Sequence, residues 1–300
     1  MRVCRSLLCL SMMVIATALP AHAGSGKLLL TGGVSSIDGA AGGGLTPWAV
    51  IGSNATAGEW GASVNATRVS TGDYSLNIYG VLVAWNDRFE LSLARQQFNA
   101  ADKLAPLGLK ALKLEQDLLG FKLRLAGDAV LDSDNWMPQV AIGVIHRHAR
   151  PAALGPTLTG PLGARLDGVD VYVSATKLLL ERGVLINATL RATRANQNGL
   201  LGFGGAHSSG TTLQPEVSLA WLLSSQLALG AEYRAKPNGL QITGLGSGAL
   251  KEDDWWDLFL AWAPNKRFSL TLAYVDLGRI APAVQRRRQT GTYVSAQLAF

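Results

Sequence analysis

The sequence predicts an all-β protein: a transmembrane antiparallel up-and-down β-barrel of twelve strands with a Gly-rich N-terminal luminal segment. Three observations predict it. The chain opens with a secretory signal, its later segments alternate apolar and polar residues with a period of two, and its connections alternate between short and long. A fourteen-strand barrel is the alternative, because the Gly-rich segment also reads as one more hairpin.

Residues 1–23 have the form of a cleaved signal peptide. Arg2 and Arg5 supply the positive start, residues 7–19 the apolar stretch, and Ala21-His22-Ala23 the small residues before the cut. Cys4 and Cys9 leave with it, so the mature chain has no disulfide and no thiolate ligand. The formal charge of +6 falls to +4 with the loss of the two arginines. A charge that mild on an exported chain excludes a nucleic-acid partner. Beyond the signal no apolar run reaches about 18 residues, so no membrane helix is expected.

Residues 24–58 are rich in Gly and Ala, with Gly39-Ala-Ala-Gly-Gly-Gly44 at their centre and Pro47-Trp48-Ala-Val-Ile-Gly52 after it. Consecutive glycines permit tight turns and weaken a strand, which favours a luminal plug. The hairpin reading pairs residues 27–33 with 48–53.

Residues 59–300 carry the barrel. The strands are read at 59–70, 73–85, 88–98, 116–126, 138–148, 167–179, 183–194, 211–222, 226–235, 253–262, 267–277 and 290–300. Clear lipid faces are Phe89/Leu91/Leu93, Leu119/Phe121/Leu123/Leu125, Val169/Val171/Val173 and Trp256/Leu258/Leu260/Trp262. The tight turns at 86–87, 180–182, 223–225 and 263–266 alternate with the long stretches 99–115, 149–166, 195–210, 236–252 and 278–289. Short periplasmic turns and long outer loops are the barrel pattern. The short connection Thr71-Gly72 and the long one at 127–137 depart from it.

Aromatic residues fall at strand ends. Trp60, Phe89 and Phe268 begin strands of one direction, and Trp85, Trp221, Trp262 and Phe300 end strands of the other, which places them at the periplasmic rim. Tyr74, Tyr233, Trp256, Tyr274 and Tyr293 collect at the outer rim. Amphipathic rings favour the headgroup level, so both sets read as membrane-interface girdles. Trp255 and Trp256 read together as a membrane-facing pair. The last strand stops on Phe300, which resembles the terminal aromatic read by the outer-membrane assembly machinery.

The opposite faces are polar. Glu90, Lys122, Arg124, Asp170, Arg191, Glu216, Glu232, Arg234 and Asp257 are the candidate pore-lining residues. A Lys or Arg on the lipid face at the midplane costs about 2–4 kcal/mol, so the parity is enforced.

Other constellations read as structure. His146 and His148 share one strand face without an evident third ligand. His207, Ser208 and Ser209 lack the convergence a nucleophile and base require. Glu252-Asp-Asp-Trp-Trp-Asp257 reads as a loop-to-strand junction. Arg286-Arg-Arg288 reads equally as a solvated loop or as a contact for lipopolysaccharide phosphates. The Gly-rich stretch 194–205 reads as a loop folded into the pore or as a mobile outer loop. No catalytic residue, metal site or cofactor is expected.

Several blocks carry a resemblance. Leu30-Thr-Gly-Gly-Val-Ser-Ser-Ile-Asp-Gly-Ala-Ala-Gly-Gly-Gly-Leu-Thr-Pro-Trp48, Arg88-Phe-Glu-Leu-Ser-Leu-Ala-Arg-Gln-Gln-Phe98, residues 188–205, 252–257 and 264–278 together resemble a proteobacterial family of outer-membrane proteins, a domain-of-unknown-function family. The resemblance spans nearly all the mature chain. It implies a β-barrel and implies no activity or functional residues.

The sequence therefore points to the outer membrane of a Gram-negative cell. The expected partners are outer-membrane lipid, lipopolysaccharide and, through Phe300, the assembly machinery. The leading function is a narrow channel or transporter for small polar or amphipathic solutes. A structural barrel accessory to envelope polysaccharide or lipid export is the alternative, and a lipid-active enzyme ranks last.

Overall fold

The computed structural model describes residues 27–100, 111–130, 136–243 and 246–300. The signal at residues 1–23 lies outside them, as do parts of the connections 99–115 and 127–137 and the pair 244–245. Among the described residues, twelve antiparallel strands close into one barrel. In chain order they are β1 (Trp60–Thr71), β2 (Ser75–Trp85), β3 (Phe89–Asn99), β4 (Lys113–Ala126), β5 (Gln139–Arg150) and β6 (Asp167–Leu179). Then follow β7 (Val184–Thr193), β8 (Thr212–Ser224), β9 (Leu227–Arg234), β10 (Trp255–Asn265), β11 (Phe268–Asp276) and β12 (Thr290–Ala299). Each strand pairs with its chain neighbours, and β12 returns to β1 through partners from Gly291–Thr71 to Ala299–Ser63. Closure leaves no edge, which lipid requires because it offers backbone groups no partner.

The alternation read from the sequence decides which way each side chain points. Along β3, Leu91 and Leu93 are exposed while Glu90 and Ser92 are buried. Along β8, Val217, Leu219 and Trp221 are exposed while Glu216 and Ser218 are buried. The wall is thus apolar toward lipid and keeps its charged residues inside, beside apolar luminal residues such as Ile78 and Phe259.

Local chemistry sets the hairpins. Asn86 and Asp87 both take positive φ, 58° and 47°, the turn that joins β2 to β3 with the strands' own twist. Gly183, at φ 62°, closes the turn between β6 and β7. The rings at this end stack across strands: Trp60 on Trp85 at 5.7 Å, and Trp85 on Phe89 at 5.2 Å.

Three aromatic assignments are corrected. Tyr293 is 1 % exposed and faces the lumen, where its hydroxyl donates to Ser35 O at 3.4 Å. The period that turns Val294 to lipid necessarily turns Tyr293 inward. Tyr74 is buried and packs on Phe98 at 5.3 Å, rather than standing in the outer girdle. Trp255 is buried under Lys236, whose Nζ lies 4.0 Å from its ring centre, so only Trp256 of that pair faces outward. Trp256 packs against Tyr274 at 5.8 Å.

Candidate functional site

A barrel of about eight strands is just filled by its own side chains, so a twelve-stranded one leaves a lumen. Here residues 34–52 occupy it and are buried throughout. The segment is compact because its backbone bonds to itself. Ile37 N donates to Gly44 O at 2.7 Å, and Trp48 N to Ala41 O at 3.1 Å. A two-residue ladder pairs Val34–Ser35 with Ala41–Gly42. Glycine is needed where a Cβ has no room. At Gly42 it would lie 2.0 Å from Thr46 O, and at Gly43 it would lie 2.3 Å from Glu232 Oε1.

The wall grips this plug at three levels. Nearest the short-turn end, Glu90 accepts Ala41 N at 3.0 Å and Gly52 N at 2.8 Å. Lys122 pairs with Glu90 at 3.2 Å and donates to Ala41 O at 2.9 Å and Val50 O at 3.0 Å. In the middle, Glu232 accepts Leu45 N at 2.7 Å and the Thr46 hydroxyl at 2.6 Å. Trp48 Nε1 donates to Ser218 Oγ at 2.9 Å.

Toward the long-loop end lies a buried ion cluster centred on Asp38. Its Oδ2 accepts Arg191 Nη2 at 2.9 Å and Arg234 Nη2 at 2.5 Å. Its Oδ1 pairs with Arg147 Nη2 at 2.9 Å. Glu216 lies between Arg191 and Arg234 at 2.6 and 3.1 Å, and Asp170 meets Arg147 at 2.9 Å. Topology explains the convergence. Arg147, Arg191 and Arg234 sit on β5, β7 and β9, every second strand, all inward and all near the long-loop end.

Loop residues cover this level. Asn196 to Gly199 are buried, and Asn198 O accepts Gln116 Nε2 at 2.8 Å and Arg147 Nη1 at 3.1 Å. The stretch 194–205 therefore folds inward. Beyond it, buried Lys236 meets Glu252 at 3.2 Å. Desolvation lowers the Lys236 pKa and raises that of Glu252, although each charge opposes the shift of the other.

Of the nine predicted luminal residues, seven contribute directly to these levels: Glu90, Lys122, Asp170, Arg191, Glu216, Glu232 and Arg234. Asp257 is buried beside them. Arg124 is displaced from this set. It is held at the short-turn rim by Asp87, by Gly127 O at 2.6 Å and by Asp128 at 3.0 Å. Sequence reasoning missed Asp38 and Arg147. Both carried a signal: Asp38 is the sole acid in residues 24–58, and Arg147 has the inward parity opposite Val144.

The remaining constellations are peripheral. His146 and His148 are exposed on the outer face beside Asp167, at 3.7 and 2.7 Å. Among the described residues no group of three or more His, Cys, Asp or Glu could hold a metal ion. His207, Ser208 and Ser209 are exposed. Arg287 pairs with Asp73 at 3.1 Å, and Arg288 with Asp276 at 2.9 Å.

Residues 31–297 match the family described as protein of unknown function (DUF3034). The chain belongs to this family. No curated protein matches it. Among solved structures, the KdgM porin in complex with disordered oligogalacturonate is similar at 9 % identity and a TM-score of 0.50, covering 79 % of this chain and 99 % of that one. The NanC porin is similar at 8 % identity and a TM-score of 0.50, covering 79 % and 98 %. At such identity the likeness concerns the fold alone: these are outer-membrane β-barrels. The matched residues take in both the plug at 34–52 and the twelve strands of the barrel up to residue 297.

Proposed function

We propose that this protein is a plugged outer-membrane channel or transporter for small polar solutes, closed at rest by residues 34–52. One observation carries the reading. The plug is bound to the wall by hydrogen bonds at all three levels and by the Asp38 ion pairs at the long-loop end, against a lining that carries buried charges at each level beside apolar contacts such as Ile78, Leu82 and Phe259. Withdrawal of the plug would leave a hydrated, charge-lined passage rather than an apolar one. A barrel serving only as an anchor needs no lumen of this width. The bilayer it spans would be the outer membrane, with lipopolysaccharide around the long-loop rim and the assembly machinery engaging Phe300 during insertion.

A disulfide staple tests the reading. Thr46 Oγ1 of the plug and Ser218 Oγ of the wall lie 2.6 Å apart. The mature chain has no other cysteine, so a T46C/S218C protein forms one defined bridge. In urea sufficient to release the plug while the barrel stays folded, planar-bilayer conductance should appear under reducing conditions and vanish on oxidation. Equal conductance in both states would refute the plug as gate, and silence in both would refute the channel.

A further inference from the structure

The Asp38 cluster has the composition of a ligand site filled by part of its own chain. The wall supplies three guanidiniums, and Asn198 Nδ2 adds a fourth donor at 3.3 Å from Asp38 Oδ1. All these groups are buried. Their own counter-ions are two, Asp170 and Glu216. With Asp38 the cluster is neutral; without it the wall keeps three cations against two anions. With the plug withdrawn, the wall keeps a net positive charge and three converging guanidiniums whose shared acceptor has gone, so it attracts one more anion. Planar guanidiniums match a carboxylate through paired N–H donors.

The way Asp38 is delivered fits the same idea. It stands at the tip of a turn closed by Gly39 N donating to Ser36 O at 2.9 Å, with Gly39 at φ 85°. The turn places a lone carboxylate among the arginines and contributes no other acidic group. Asp38 acts as a tethered substitute for a ligand.

We propose that Arg147, Arg191 and Arg234 form a binding site for a carboxylate-bearing solute, and that such a solute competes with Asp38 and frees the plug. This rests on the channel reading for its purpose but not for its test. Binding to the plug-free state alone shifts the equilibrium by one plus the ratio of concentration to dissociation constant. Release should thus rise about tenfold at a solute concentration near ten dissociation constants.

Two measurements test it on the full-length, membrane-inserted protein. In a Thr46→Cys protein the cysteine lies on the plug, buried against the wall, so its maleimide labelling rate reports release. Gluconate should accelerate labelling in a saturable manner, and glucose, an uncharged six-carbon analogue, should not. Equal rates in gluconate and glucose, or the same acceleration by chloride at matched ionic strength, would overturn the proposal. In an Asp38→Ala protein the carboxylate is absent, and formate should fill its place. Formate should raise the temperature at which the folded band is lost on gels, and Arg191→Gln in the same background should abolish that rise. A rise that survives Arg191→Gln would overturn the site. A protein that labels faster in gluconate yet never conducts keeps this site and refutes only the channel.

Discussion

Lys122→Met is the most informative single perturbation of the lower plug contact. Glu90 and Lys122 are direct cross-strand partners on β3 and β4, and both are 1 % exposed. Their charges lie 3.2 Å apart. At an effective dielectric of about 20 the attraction is about 5 kcal/mol. Truncating one member of a buried pair costs about 3–5 kcal/mol, because the other charge stays buried. Lys122 also donates to Ala41 O and Val50 O, so the loss falls on the plug as much as on the wall. The backbone ladder of β3 and β4 is untouched. The expected result is an intact, heat-modifiable barrel whose plug is released more often by a factor between about a hundred and a few thousand. The assay is maleimide labelling at Thr46→Cys across a urea series, in a double-mutant cycle with Glu90→Gln. The double variant should lose about 2 kcal/mol less than the two single losses combined, since neither charge is stranded. A single-variant loss within about 0.5 kcal/mol of the parent, or strict additivity, would refute the buried-pair reasoning.

Two further outcomes follow from the lipid face and the long loops. Val173→Arg places a cation on the lipid side of β6 and should cost about 2–4 kcal/mol of folding free energy in lipid vesicles; a cost near zero in urea unfolding would show that the strand parity is reversed. Asp253 accepts from Arg279 side chain and backbone, which lowers its pKa from 3.8 to about 2. A depressed carboxylate stabilises fully above its unfolded pKa, and the effect is lost as pH falls through the folded value. The loop 278–289 should therefore resist pepsin near pH 4 and become cleavable as pH drops toward 2; cleavage that does not change across this window would remove Asp253 as the clasp.

Much of the architecture was legible because it is local. Strand ends read at 73–85 and 167–179 lie within two residues of Ser75–Trp85 and Asp167–Leu179. The same period marks Glu90, Lys122 and Arg191 as inward. Aromatic residues near a rim are where the period and the girdle pattern disagree. Nearness to a rim suggests a girdle for Tyr293 and Trp255, but parity turns each inward. Tyr74 differs: it sits in the connection before β2, where packing on Phe98, not strand parity, buries it. Arg124 shows a further limit. It has luminal parity, yet Asp87 and Asp128 of the adjacent turns hold it at the rim.

By itself the sequence determined a closed barrel, its lipid and luminal faces and the end that carries the long loops. Those follow from a two-residue period and from the cost of exposing charge or unpaired backbone to lipid. Only the tertiary structure decided what fills the lumen. Asp38 meets Arg191 across 153 residues and Arg234 across 196. Such a meeting depends on how twelve strands are staggered around the ring, a property of the closed sheet that no single segment encodes.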